Sequence, residues 1–260
     1  MRPLIVANWK CNPQTLAEAK KLFLAVSKGA KKTKATVAIC PPFVFIPGLS
    51  VIRKDPVELG AQDAFFQEGA FTSQISVSML KQFGCKYAII GHSEKRALGE
   101  TDEMINKKIK AVISAGLFPI LCIGESGRER KEGKTEEVLE RQLGLDLKDI
   151  SKFKIQPARI ATQSVAGGNS KLTIAYEPLW AIGTGNACDL DKAKEVKALI
   201  KKNLVGLYGK INAQKIRIIY GGSTNPDNAL GFIKEAGMDG LLPGGASLDP
   251  KKFIAILDKF

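Results

Sequence analysis

Histidine is nearly missing from this chain: His92 is the only one among 260 residues. A metal centre built on several imidazoles is therefore excluded. Long apolar runs are missing as well, and nothing approaches the ~18 uninterrupted apolar residues that a membrane span needs. Met1-Arg2-Pro3 leads straight into the strand-like Leu4–Ala7, too short for the apolar region of a signal peptide. Cysteine pairing has little support. Cys11, Cys40, Cys85, Cys122 and Cys188 are odd in number, widely spaced and mostly set in apolar runs. Reduced thiols and a cytoplasmic location are expected, without a disulfide framework or zinc site. Acidic residues are outnumbered, 26 against 39 lysines and arginines, for a net charge of +13. The lysines alternate with apolar positions of helical stretches, as in Lys192-Lys194-Lys197-Lys201-Lys202. The one dense run, Lys28 to Lys34, has no aromatic residues interleaved. A solvated surface that also steers a small anionic substrate is expected, rather than nucleic-acid binding.

What is present is a rhythm. Hydrophobic residues make up 45% and charged residues 25%, ordinary for a globular protein. Strand-like runs fall at Leu4–Trp9, Ala35–Cys40, Val57–Asp63, Lys86–Gly91, Leu117–Ile123, Leu172–Glu177, Lys215–Tyr220 and Asp239–Leu242. Amphipathic stretches lie between them at Leu16–Ser27, Asp102–Ala115, Thr135–Leu147, Leu190–Leu207, Asn228–Ala236 and Pro250–Leu257. No Pro/Gly/Ser linker divides the series. Eight strand–helix units in roughly 250 residues predict a single (β/α)8 barrel over residues 1–260, with a doubly wound sheet as the alternative on pattern alone. The segment 149–171 is long for a connection, and since it enters a strand at its N-terminal end it is expected on the side away from the chemistry.

Two nucleotide-site look-alikes fail. Gly183-Thr184-Gly185-Asn186-Ala187-Cys188 has Cys188 where the dinucleotide fingerprint ends in Gly or Ala, and it starts six residues past Glu177. The stretch 127–135 resembles a P-loop but places five residues, all charged, between Gly127 and Gly133. A loop that wraps phosphate needs small residues there.

The strand ends carry more information. Asn8-Trp9-Lys10, Gly91-His92-Ser93-Glu94, Glu177, Gly221-Gly222-Ser223 and Gly244-Gly245 each follow a strand-like run. Alone, each has an ordinary explanation: a solvated lysine, a hydrogen-bonded core histidine, a strand stop, plain turns. In a barrel all of these ends converge on one face, where active sites lie.

The chain resembles the triosephosphate isomerase family. The resemblance rests on Asn8-Trp9-Lys10, Gly91-His92-Ser93-Glu94-Lys95-Arg96, Cys122-Ile123-Gly124-Glu125, Ala175-Tyr176-Glu177-Pro178 with Trp180–Gly185, Tyr220-Gly221-Gly222-Ser223 and Gly244-Gly245-Ala246-Ser247-Leu248. These run in family order over essentially the whole chain. The resemblance implies proton transfer between adjacent carbons of a phosphorylated triose through an enediolate, with no metal and no cofactor. Glu177 would be the base; His92, Lys10 and Asn8 would donate to the developing charge; Glu94 would shuttle protons or support Lys10. This is the family's established chemistry, carried over by resemblance, with His92 working as neutral imidazole because a helix N-terminus at Ser93 disfavours imidazolium. Gly183, Ser223, Gly244 and Gly245 would offer backbone donors to the phosphate. Pro178 would stiffen the first joint of a closing loop, and Ile182 and Leu242 would clamp the base in a dry site.

Departures from the family pattern are equally specific. Leu179 replaces a usual valine, Asn186-Ala187-Cys188 is an uncommon second hinge, and Pro243 stands where valine is usual. The resemblance also implies a homodimer in which the loop Gln67–Ser76 inserts into a partner, bringing Thr72 near the partner's first strand end. Gln74 and Lys95 replace a Glu and an Arg that usually pair between subunits, so a dimer weaker than is typical is expected. Rival classes are a metal-dependent epimerase barrel, for which one histidine is too few, and a silent sugar-phosphate-binding barrel, which would lack one of Lys10, His92 or Glu177.

Overall fold

The computed structural model describes residues 1–53, 56–150, 172–183 and 187–260. Parallel strands close into a barrel in chain order: β1 (Leu4–Asn8), β2 (Thr36–Cys40), β3 (Val57–Ala61), β4 (Cys85–Ile90), β5 (Phe118–Ile123), β6 (Thr173–Tyr176), β7 (Arg217–Tyr220) and β8 (Gly240–Leu241). The pairing of β8 with β1, Leu4 opposite Gly240 and Ile5 opposite Leu241, closes the barrel and excludes the doubly wound alternative. Alternation along each strand divides the core into two layers. Leu4, Val6, Ala38, Cys40, Tyr87, Ile89, Ile120, Cys122, Ala175 and Ile219 fill the interior. Ile5, Ala7, Ala88, Ile90, Leu121, Ile123, Ile174 and Ile218 belong to the larger cluster against the helices. Burial on both faces is why these strands read as nearly unbroken apolar runs.

The outer layer comprises α1 (Leu16–Gly29), α2 (Ile46–Ser50), α3 (Val77–Gln82), α4 (Ser93–Ala97), α5 (Asp102–Ser114), α6 (Gly127–Lys131), α7 (Thr135–Asp146), α8 (Leu190–Lys215), α9 (Ala229–Lys234) and α10 (Pro250–Leu257). Sequence caps start several of them, such as the Thr15–Glu18 box of α1 and Asp189 before α8. The expected helix 190–207 runs on to Lys215, but Gly209 (φ 74, ψ 159) interrupts it, so α8 is two helical runs meeting at a kink. Lys201 bridges the kink, donating to the carbonyls of Ala213 (2.8 Å) and Ile216 (3.2 Å). The P-loop look-alike folds as α6, opened by a Ser126–Glu129 capping box. The expectation for the connection before β6 falls on residues 151–171, outside the described residues.

Several strands stop one or two residues earlier than the sequence predicts. Trp9, Asp63, Gly91 and Glu177 all lie beyond them. At two of these exits the backbone leaves the extended region abruptly, Lys10 with φ 52 and Gly91 with φ 71. Positive φ is natural for the glycine and strained for the lysine.

Candidate active site

Continuing the inward alternation of Leu4 and Val6 brings Asn8 to the mouth of the barrel, 4% exposed. Its amide oxygen accepts from the Lys10 N–H (3.1 Å), and Gln62 Nε2 donates to the Lys10 carbonyl (2.8 Å). Both backbone groups of Lys10 are thus fixed, which sustains its strained φ. The ammonium then reaches Glu94 Oε1 at 2.6 Å.

Gly91 turns the chain out of β4, and His92 follows as the N-cap of α4. Its Nδ1 accepts from the Glu94 N–H at 3.2 Å. An accepting Nδ1 leaves the proton on Nε2, so this network assigns the neutral imidazole with Nε2–H facing Glu177 Oε1 at 3.1 Å. Glu177 follows β6 directly and is 2% exposed. Its second oxygen accepts from the Ser93 N–H at the start of α4 (3.0 Å). Gly221 is required beside it, since a Cβ there would stand 2.8 Å from Glu177 Cγ.

Two cavities flank this region, and Glu177 lines only the one behind, while His92 lines the one in front. The one behind, about 390 Å³, is lined by Glu177 with Gly91, Ser93, Arg96, Cys122 and Leu179. The one in front, about 450 Å³, is lined by Asn8, Lys10, His92, Ile182, Gly183, Ser223, Leu242, Gly244 and Gly245 among others. Among the described residues, Lys10 is the one ionic side chain in this front lining and no carboxylate joins it. The N–H groups of Gly183, Ser223, Gly244 and Gly245 have no hydrogen-bond partner among the described residues. An ammonium whose one acidic partner among the described residues, Glu94, lies outside the lining, together with these N–H groups, suits an anion of small-ligand size.

The structure thus brings every sequence-predicted site residue to one face. Pro178 precedes a single 3₁₀ turn, Leu179–Ala181, and Ile182 and Gly183 follow it into the pocket lining. Ser223 Oγ donates to the Ala181 carbonyl (2.7 Å), tying β7's end to the same segment. Leu242 is buried in the interior cluster and its N–H donates to Tyr220 O (2.7 Å). Pro243 has no N–H to donate, but its carbonyl accepts from the Asn8 N–H (3.0 Å) and so continues the barrel closure.

Sequence reasoning missed the residues that hold these. Glu125, 1% exposed, accepts from Tyr176 Oη (3.0 Å) and Trp180 Nε1 (3.0 Å), and its carbonyl accepts from the Leu179 N–H (3.1 Å). Arg130 lies over the Trp180 ring at 3.7 Å. Burial, then the Glu125 carboxylate, keeps the Tyr176 phenol protonated and donating. Cys122 lies against the Glu177 carboxylate; burial first and that charge second push its thiol far above the usual range. Both Cys122 and Glu125 belong to the quoted Cys122–Glu125 motif, and the only available signal was a glutamate two residues past a strand.

A protein-family model described as triosephosphate isomerase matches residues 3–260. Curated proteins named triosephosphate isomerase are similar over nearly full length. That of Dictyoglomus thermophilum is 45% identical, covering 97% of each chain. That of Thermoanaerobacter pseudethanolicus is 44% identical over 99% of each, and that of Aquifex aeolicus 41% identical over all of both. The chain belongs to the triosephosphate isomerase family. Membership makes it an isomerase that interconverts dihydroxyacetone phosphate and glyceraldehyde 3-phosphate, a glycolytic step. Among the described residues no helix is long and apolar enough to cross a membrane.

Proposed function

We propose that Glu177 is the base of this isomerisation. It takes a proton from one carbon of the triose and returns it to the adjacent carbon, while His92 Nε2–H donates to the oxygen that becomes enediolate and the hydroxyl proton passes between the two oxygens. Lys10 and Asn8 stabilise the same developing charge, and Glu94 holds Lys10 until substrate competes for its ammonium. The phosphate lies on the N–H groups of Gly183, Ser223, Gly244 and Gly245. Pro178 and Ile182 belong to the closing segment, and Ile182 and Leu242 shield the base from water. The observation that carries this reading is the meeting of Glu177 and His92 at 3.1 Å beside a pocket whose one ionic side chain among the described residues is Lys10.

Glu177→Gln tests it directly. Turnover of purified protein, free of host isomerase, should fall by ~10²–10⁴-fold or more while phosphate affinity holds; turnover near that of the parent refutes the assignment. In the same reading 2-phosphoglycolate, whose carboxylate imitates the enediolate, binds much tighter than inorganic phosphate, and equal affinities by calorimetry would instead favour a silent phosphate-binding barrel. Chelators leave the rate unchanged. The protein acts in the cytoplasm as a homodimer through the loop Gln67–Ser76, where Phe71 is 41% exposed.

A further inference from the structure

The helix that follows His92, α4, has no buried residue. Apolar packing therefore does not fix its orientation, although both Glu177 and the front pocket depend on it. Charge does so instead, through three consecutive side chains that each bond a different neighbour. Glu94 meets Lys10 on the β1 end. Arg96 binds Asp102 (2.5 Å) and Asp146 (2.6 Å) and donates to the carbonyls of Gly91 (2.9 Å) and Cys122 (3.2 Å). Lys95 reaches Asp63 Oδ2 at 3.3 Å, two residues beyond the end of β3.

Asp63 is built to hold a cation firmly. Its side chain is 16% exposed. Oδ1 accepts from the Ala64 N–H (2.8 Å) and Lys108 Nζ (2.7 Å), and Oδ2 from Lys108 (2.9 Å). Lys108 is 4% exposed and also bonds Glu100. A carboxylate fixed by a backbone donor and a buried ammonium has little freedom, so the Lys95 contact has a rigid end. Where the resemblance puts an ion pair between subunits at positions 74 and 95, this chain closes a pair inside one subunit. We infer that Asp63 is a positioning residue for the isomerase reaction: through Lys95 it holds the helix that presents His92 and binds Glu177. This rests on the roles of His92 and Glu177 set out above.

Lys95→Met removes this leg alone, at a side chain 45% exposed, where folding is not at stake. The expected result is a kcat lower by about tenfold with KM within about twofold, since a small displacement of His92 acts on the transition state. Lys95→Arg should keep the parent kcat. Asp63→Asn should lower kcat similarly, and adding Lys95→Met to it should lower kcat no further. Asp63→Asn also strips Lys108 of a partner, so the Lys95 variants carry the decision. Kinetics are taken at protein concentrations spanning subunit dissociation, followed by sedimentation velocity. An unchanged kcat in Lys95→Met overturns the inference, and so does a loss that vanishes at high concentration, which would mean action through assembly alone. Glu177→Gln, run alongside, separates the two levels: if it retains turnover, the site assignment itself fails and this inference with it.

Discussion

At one end of the front pocket stand Lys10 and His92, and they and the neighbouring Glu94 and Glu177 are side chains held by one another or by the start of α4. At the other end, Gly183, Ser223, Gly244 and Gly245 offer backbone N–H groups on turns whose shape comes from local chain geometry. A proton-transfer corner needs groups whose protonation and direction are set by neighbours, because the charge it stabilises appears only during reaction. A phosphate is charged throughout, so fixed dipoles suffice and side chains are an obstruction. Substitutions at the two ends should therefore fail in different kinetic constants.

The largest effect should come from the corner. His92→Asn removes the donor facing Glu177, and kcat should fall by ~10²-fold or more with KM nearly constant. A variant that changes KM alone would erase the distinction between the two ends. At the phosphate end, Gly244→Ala would set a Cβ 3.4 Å from Lys10 Cε. KM and the dissociation constant of 2-phosphoglycolate should rise by about fivefold, roughly 1 kcal/mol, with kcat nearly unchanged. A fall in kcat with binding intact would show that Gly244 serves the corner instead.

Smaller effects should mark the supports. Glu125→Gln keeps the shape but weakens the acceptor for Tyr176 and Trp180; about 1–2 kcal/mol of stability should be lost, a drop of a few degrees in Tm by calorimetry. An unchanged Tm would mean that the Pro178–Ala181 segment does not depend on this carboxylate. Smallest of all is a perturbation-free probe. Cys40, Cys85, Cys122 and Cys188 are buried, and burial pushes Cys85 and Cys188 up to about 11 and the other two further. Only Cys11 should react with a disulfide reagent at pH 8, and all five in guanidinium. More than one fast thiol in the native protein would reveal an open barrel.

Much of what gathers at the candidate site could be read from the chain. Asn8, Lys10, His92, Glu177 and the glycine pairs each stand just past an apolar run, and in a closed parallel barrel every such end reaches the same rim. Cys122 lies within such a run and Glu125 two residues past it, yet no local pattern reveals that Glu125 holds Tyr176 and Trp180 or that Cys122 touches Glu177. Those contacts join residues some fifty positions apart, at distances set by the barrel's register. The helix expected over 190–207 was extended by a second run because Lys201 bridges a glycine kink, a long-side-chain contact invisible to periodicity.

Residue order alone determined the alternation of strands and helices, the inward parity that delivers Asn8 and Glu177, and the glycines at the far end of the front pocket. These are local: period 2, period 3.6 and the missing Cβ act within a few residues. Closure, by contrast, is a tertiary event, since the two-residue β8 is a strand only because β1 and β7 flank it. The choice of Asp63 as the partner of Lys95 is tertiary too. Nothing in the spacing of 63, 95 and 108 distinguishes that carboxylate from any other surface acid. Only the adjacency of β3 and β4 in the closed sheet brings it beneath α4, where two ammonium groups and little water leave it one arrangement.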